Sequence, residues 1–427
     1  MNLQQRDRGR TLEFSSLASS EAEQQRRTIA LVDPQATGHH PLYFSAFAEE
    51  LAGLGFEVVG ICPDAEAIRL PMAGRLIGPS GNSFFEWAPP QFSFRPRRLS
   101  VPLGTHAAHW WLSRRLASLE RQMGRKIDLV FFACLYDRFL TLHSSSFAWD
   151  WVGLYLQVSG FRIPDEQAVH PLSRFNLVKR SKGRLKGLSV LDEDAIEFVQ
   201  RISGCLNVQR FPDFSDTRVN PNSLVAEQLN RRASGRKVIG VAGHLVPSKG
   251  IATLAEAAIA MAAEHPNVLL AFVGEFAWES FDEGSRETLR RAFALPNVFT
   301  HLERIPSEFE FNAVLNEFDV IYAGYYDFPH SSNMPAKAAG LGKPLIVSSG
   351  YLLAERTARY LLGKVIPERD VDALRKAILE LIDSQACLPN SEGCHEYLSL
   401  HSRQSLRESL RSLLTPIWQQ AGVPIKV

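Results

Sequence analysis

Residues 237–275 read KVIGVAGHLVPSKGIATLAEAAIAMAAEHPNVLLAFVGE. The β-branched run over 238–241 predicts a strand that ends at Gly243. A short loop with His244, Pro247, Lys249 and Gly250 follows, then a helix with Ile251, Leu254, Ala255, Ala258 and Met261 at helical spacing. A second apolar strand over 268–273 closes on Gly274 and Glu275. This is a βαβ unit whose first turn sets a lysine beside a helix N-terminus. Free amide N–H groups, the helix dipole and an ammonium suit a phosphate. An ordinary βαβ unit with a solvated lysine reads the same way, and the pattern alone does not separate the two.

Downstream, the spacing predicts strands over 297–300, 319–323 and 344–347, a helix over 370–382 after Pro367, and a helix over 402–420. Upstream, it predicts a strand over 28–32, the loop DPQATGHHP (33–41), and a helix with Leu42, Phe44, Phe47, Ala48, Leu51 and Leu54 inward, stopped by Gly55. A strand over 57–62 completes a βαβ opening. Residues 64–102 are irregular and aromatic (Phe84, Phe85, Trp87, Phe92, Phe94) and read as a long functional insertion. A helix is expected over 105–123, strands over 128–134, 153–157 and 187–191, and a helix over 192–201 capped by Asp192. The proline- and aspartate-rich FPDFSDTRVNPNS (211–223) marks a linker. The expected organisation is a disordered leader (1–27), an N-terminal acceptor-side domain (28–210), the linker, a C-terminal nucleotide-sugar domain (224–395), and a terminal helix (396–427) that packs back on the N-terminal domain. Strands and helices alternating on both sides of a linker predict an α/β fold of two Rossmann-like, doubly wound parallel-sheet domains. Ligands then belong at the carboxyl ends of the strands, in an interdomain cleft.

Composition narrows the function. The 427 residues are 45% hydrophobic and 22% charged with a net charge of +1, ordinary globular values that give no case for nucleic acid. Residues 1–27 carry five arginines and no apolar core, which is not a secretory signal. No apolar run is long enough to span a bilayer. The five cysteines (Cys62, Cys134, Cys205, Cys387, Cys394) read as reduced thiols of a cytoplasmic protein. Cys387, Cys394 and His395 lack a fourth ligand, so no metal is expected.

The run GHLVPSKG with its helix, FVGE, NVFTHLERIPSEFEFNAVLNEFDVIYA, AGLGKPLIVS and DVDALRKAILELI resembles the C-terminal domain of GT-B glycosyltransferases, closest to family 4, over residues 237–383. The N-terminal half matches by architecture and by its glycine-containing first loop. The resemblance implies transfer of a sugar from a nucleotide-diphosphate donor to a glycan, polysaccharide or lipid-linked acceptor hydroxyl. It implies retention, no cofactor, no required metal, and a role in polysaccharide biosynthesis. Lys249 matches the lysine of the family's diphosphate loop, and His244 stands at its arginine position. Counted back from Gly342-Lys343-Pro344, the family's two glutamates fall on Pro329 and Lys337. A charged lysine accepts no hydrogen bond, so the ribose is held differently or donor binding is lost.

On the donor side are Gly243, His244, Lys249, Glu275, and Ser331, Ser332 and Asn333 with Lys337 one turn later; a plain N-cap and a solvated lysine are the structural alternatives there. Asp327 is a candidate displaced acid. Gly38 lets an acceptor approach the first loop, and His39 or His40 could orient or deprotonate its hydroxyl. Asp137 follows a strand end on the same side. Glu355 matches a glutamate whose usual reason is structural. Two basic tracts, one with Arg95, Arg97, Arg98, Arg114, Arg115, Arg121, Arg125 and Lys126 among aromatics and one with Lys179, Arg180, Lys182, Arg184 and Lys186, suit peripheral contact with an anionic inner membrane face, an acidic polysaccharide, or water alone. Missing glutamates keep a catalytically silent GT-B binding or assembly protein open, and a nucleotide-sugar epimerase shares the fold.

Overall fold

The computed structural model describes residues 27–33, 40–62, 83–86, 97–135, 147–156, 183–205, 207–383 and 389–419. They form two compact units: one reaches to Phe211 and resumes at Leu406, the other runs from Pro212 to Ser405.

The first unit holds strands β1 (Thr28–Val32), β2 (Glu57–Cys62), β3 (Ser83–Glu86), β4 (Leu129–Leu135), β5 (Trp151–Tyr155), β6 (Leu185–Val190) and β7 (Val208–Arg210). They form one sheet in the order β3-β2-β1-β4-β5-β6-β7, and its pairings are parallel. Every residue of β1, β2 and β4 is buried, as befits central parallel strands covered on both faces. Helices α1 (His40–Gly53), α2 (Arg97–Met123) and α3 (Ile196–Ser203) belong to this unit. Phe47 of α1 packs on Phe131 and edge-on to Phe211, with ring centroids 5.7 and 5.0 Å away.

The second unit repeats the plan. Strands β8 (Lys237–Ala242), β9 (Val268–Val273), β10 (Val298–His301), β11 (Val320–Ala323), β12 (Leu345–Ser348) and β13 (Gly363–Ile366) form a sheet in the order β10-β9-β8-β11-β12-β13. Its helices are α4 (Leu224–Ala233), α5 (Ile251–Met261), α6 (Glu283–Phe293), α7 (Glu308–Asn316), α8 (Met334–Leu341), α9 (Leu352–Arg359), α10 (Val371–Ile382) and α11 (Ser391–Leu400). In both sheets the winding reverses beside the first strand, between β1 and β4 and between β8 and β11. Open α/β sheets place ligands at such a reversal.

The last helix, α12 (Arg403–Gln419), buries Leu406, Leu410, Leu413 and Leu414 completely. Its Trp418 lies 4.7 Å from the Phe56 ring, Arg407 Nε donates to Glu50 Oε2 at 2.7 Å, and the Leu413 carbonyl accepts from Asn207 Nδ2 at 2.7 Å. All these partners are residues of the first unit.

Several elements differ from the sequence expectation. β3 and the first turns of α2 fall inside the stretch read as irregular. Asp192 caps a short 3-10 turn, accepting from the Asp194 amide at 3.1 Å, before α3 begins. β7 and β13 were not foreseen, being sheet-edge strands of three and four residues. Cys394 and His395 lie in a helix: Asn390 caps α11, and Cys394 is buried there. Cys387 lies outside the described residues.

Candidate functional site

In the second unit the chain leaves β8 through Gly243, at φ +107°, whose amide donates to the Val273 carbonyl at 2.9 Å. The turn after β9 passes in contact with it. Gly274 sits at φ +129°, and a Cβ there would lie 2.0 Å from the Gly243 oxygen. Only glycine fits both the dihedral and the space. Leu245 then donates to the Glu275 carbonyl at 2.7 Å, and Ala277 donates back to the Leu245 carbonyl at 3.1 Å. This lacing sets His244 and Glu275 side by side, Nδ1 to Oε2 3.8 Å, both largely exposed.

A 3-10 turn over Pro247–Lys249 and Gly250, at φ +70°, open α5. A Cβ on Gly250 would lie 2.0 Å from the Gly324 oxygen, so the helix start abuts the end of β11. The Tyr322 hydroxyl donates to the Gly250 carbonyl at 3.1 Å, and the Tyr326 amide to the Ser248 carbonyl at 2.7 Å. The Lys249 Nζ is thereby held 5.7 Å from the Tyr325 ring centroid and 3.1 Å from the place of a Gly243 Cβ. No carboxylate of the described residues forms an ion pair with it. Burial pushes its pKa down from 10.5 to about 8. Lys249 is thus a largely desolvated ammonium with glycine backbone on one side, an aromatic face on another, and no acidic partner among the described residues. An anion placed there would remove the cost of its burial.

The loop after β11 carries the remaining donor-side residues. Burial raises the Tyr325 hydroxyl to about 12, and this hydroxyl hydrogen-bonds Ser332. The Ser332 Oγ accepts from the Met334 amide at 3.3 Å. Asn333 holds the N-cap position of α8 and makes no side-chain cap bond. Half-buried His330, edge-on to Phe328, has its pKa lowered by burial.

Two expected anion partners are engaged inside the unit instead. Ser331 donates to Asp213 Oδ2 and accepts from Arg356 Nη1 at 3.0 Å, while Arg356 reaches Asp213 at 3.4 Å. Lys337 is 1% exposed and pairs with Glu308, donating also to Asn312 Oδ1 at 2.7 Å. It is therefore neither a solvated lysine nor one turned toward a ligand. Burial lowers its pKa, and Glu308 opposes that shift. Asp327 is exposed at φ +44°, with its amide on Glu368 Oε1 at 2.8 Å and its carboxylate 3.5 Å from Arg369.

In the first unit His40 is the first residue of α1 and is buried, its Nδ1 3.0 Å from both carboxylate oxygens of Asp33, at the end of β1. Asp33, His40 and Cys134 of β4 bring potential metal-ligand atoms within 4.8 Å of one another, the one such group of three among the described residues. Sequence reading missed Asp33 and Cys134. Gly38, His39 and Asp137 lie outside the described residues, as do Arg95, Lys179, Arg180 and Lys182. Of the basic tracts, Arg125 pairs with Glu57, Lys126 with Glu120, and Arg184 and Lys186 with Asp150. Arg114 stacks at 4.3 Å on Trp110, which is 57% exposed. No helix among the described residues is long and apolar enough to cross a membrane.

No family model matches the sequence, and no curated protein matches it. Solved structures match along nearly the whole chain. A sucrose-phosphate synthase from Thermosynechococcus elongatus is 18% identical, with 92% of this chain and 100% of that one covered at a TM-score of 0.65. HepE of Anabaena, solved in complex with UDP, is 13% identical, with 91% and 100% covered at a TM-score of 0.65. WaaG, a glycosyltransferase involved in lipopolysaccharide biosynthesis, is 17% identical, with 91% and 99% covered at a TM-score of 0.61. At such identities the likeness is one of fold, and it agrees with the two sheets described above: the chain has the GT-B fold, two Rossmann-like α/β domains in one polypeptide.

Proposed function

We propose that the chain is a glycosyltransferase that moves a sugar from a nucleoside-diphosphate donor to an acceptor hydroxyl. The observation that carries this reading is Lys249: a half-buried, largely desolvated ammonium without a carboxylate partner among the described residues, in a glycine turn that opens a helix at the sheet's winding reversal. Support comes from the fold, which this chain shares with HepE structures solved with UDP and with UDP-glucose. In the reaction the acceptor oxygen bonds to the anomeric carbon, and the bond from that carbon to the diphosphate breaks. The electron pair leaves on the nucleoside diphosphate. Lys249 and the amides at the start of α5 stabilise that charge as it grows. His40 receives the proton of the acceptor hydroxyl. The ammonium supplies the charge that a metal supplies in other transferases, so transfer is expected to proceed in EDTA. A glycan or lipid-linked acceptor in the cytoplasm, and contact with anionic lipid through the Trp110–Arg114 stack, complete the proposal.

The test is calorimetry of the full chain with UDP, GDP, ADP, dTDP and UDP-glucose. One nucleoside diphosphate is expected to bind, and Lys249→Ala to weaken it by about tenfold or more, the worth of a charge-assisted hydrogen bond. A panel without binding would overturn the reading. A silent binding protein has two observations in its favour: Lys337 is committed to Glu308, and His244 neighbours an acid. Binding without release of nucleoside diphosphate, across a range of glycan acceptors, selects that alternative.

A further inference from the structure

We infer that Glu368, in the loop after β13, is a positioning residue for Lys249. Its carboxylate holds the loop after β11 in a left-handed bend, and that loop seats the turn carrying the ammonium. The use of this for donor binding rests on the function proposed above; the positioning does not.

Four non-glycine residues of those described have φ in the left-handed region: Ser234, Asp327, Leu361 and Arg369. Ser234 is the C-cap of α4, and Leu361 follows Tyr360, the C-cap of α9. A left-handed residue is an ordinary helix stop. Asp327, at φ +44°, and Arg369, at φ +60°, end no helix. They lie in the loops after β11 and β13 of the same sheet, with the Arg369 guanidinium 3.5 Å from the Asp327 carboxylate. A side chain avoids this conformation unless its surroundings impose it.

Glu368 imposes it on both. One carboxylate oxygen accepts from the Asp327 amide at 2.8 Å and the other from Arg369 Nη1 at 3.1 Å. The Arg369 guanidinium also lies 4.3 Å from the Tyr326 ring centroid. Tyr326 carries the link onward. Its amide donates to the Ser248 carbonyl at 2.7 Å, and its hydroxyl shares a hydrogen bond with Thr253 in the first turn of α5. Ser248 immediately precedes Lys249. On the other side of Tyr326, the Tyr325 ring centroid lies 5.7 Å from Nζ. The turn beneath the ammonium and the aromatic face beside it are thus set through one tyrosine, whose next amide is Glu368's partner. Release of Asp327 from its bend lets Tyr325 and Tyr326 move off, and water reaches Nζ. The desolvation that lowers this ammonium to about 8 then relaxes.

The experiment is a pH titration of the ligand-free full chain by NMR, with heavy carbon at lysine Cε. Lys249 is identified as the signal missing from Lys249→Met. In the wild type it is expected to titrate near 8, and in Glu368→Ala about one pH unit or more higher, toward 10.5. Glu308→Ala weakens the same unit elsewhere and is expected to leave the titration near 8, so lost stability alone does not produce the rise. In an Asp327→Gly background the bend needs no carboxylate, and Glu368→Ala is expected to move the titration by less. An unmoved titration in Glu368→Ala overturns the inference. So does an equal rise in both backgrounds, in Glu308→Ala as well, or a wild-type lysine that already titrates at 10.5. Should Glu368→Ala fail to fold, Tyr326→Leu takes its place: it removes the ring between Arg369 and Thr253 and is expected to raise the same titration, and no rise overturns the inference. No ligand enters these titrations, so a chain that binds no nucleoside diphosphate gives the same result. An unmoved titration in turn leaves the calorimetric test of Lys249 as it stands.

Discussion

Lys249 shows how one side chain couples binding to pH. Its folded pKa of about 8 lies below the usual 10.5, so the fold disfavours its charged form. Stability therefore rises as pH climbs from 8 to 10.5, where the unfolded chain still holds a proton that the folded chain has released. Below pH 8 both states are protonated and the penalty is constant. Lys249→Met is expected to be more stable than the wild type at pH 7 and to lose that pH-dependent rise, as read by thermal melts across the range. Binding of the nucleoside diphosphate proposed above is expected to run the other way: its affinity should fall by about tenfold per pH unit above 8, with uptake of a proton on binding there. Calorimetry in two buffers of different ionisation enthalpy checks the uptake; equal heats would refute it. Lys337 contrasts with it. Its ammonium is partnered by Glu308, so Glu308→Ala strands a buried charge and is expected to cost about 3 kcal/mol, whereas Lys337→Met costs about 1 kcal/mol or less. Urea denaturation measures both, and neither change is expected to alter affinity for the proposed nucleoside diphosphate. The sequence suggested an anion partner at both lysines. Nothing local reveals that Glu308 approaches one of them, whereas Lys249 stood out because glycines and a helix start flank it.

Among the elements, the turn after β8 and the turn after β9 are one device. Gly274→Ala sets a methyl against the Gly243 oxygen at a φ that alanine avoids, and is expected to cost about 2–4 kcal/mol in urea denaturation. It is also expected to displace His244 and to weaken binding of the proposed nucleoside diphosphate; unchanged affinity would separate the two turns. β8, α5 and β9 were legible because apolar periodicity switches cleanly between them and glycines mark each strand end. β13 was not, since GKVI is too short to carry a period and sits at the sheet edge. The Asp33–His40 pair was half legible. The histidine stood out in its loop, but the aspartate gains meaning only from a ring and a thiol brought beside it by folding.

For the whole molecule, two sheets of one winding order followed from strand–helix alternation on both sides of a linker, and the structure has them. The return of the chain to the first unit was expected, but its bounds were less visible: one helix was expected over 396–427, and α12 starts at Arg403, directly after the separate α11. Truncation after Ser405 removes α12 with its buried leucines and Trp418. It is expected to destabilise the first unit, read as early protease cleavage within residues 27–211, and to leave the proposed nucleoside-diphosphate binding by the second intact. Loss of both would mean that the units do not fold separately. The interrupted course of the first unit also bears on biosynthesis. A ribosome delivers its strands first and its closing helix last, with all of the second unit in between. On a nascent chain the later-made unit is whole first, while the earlier one waits with an apolar seam uncovered, which makes the emerging N-terminal half the natural client for a chaperone.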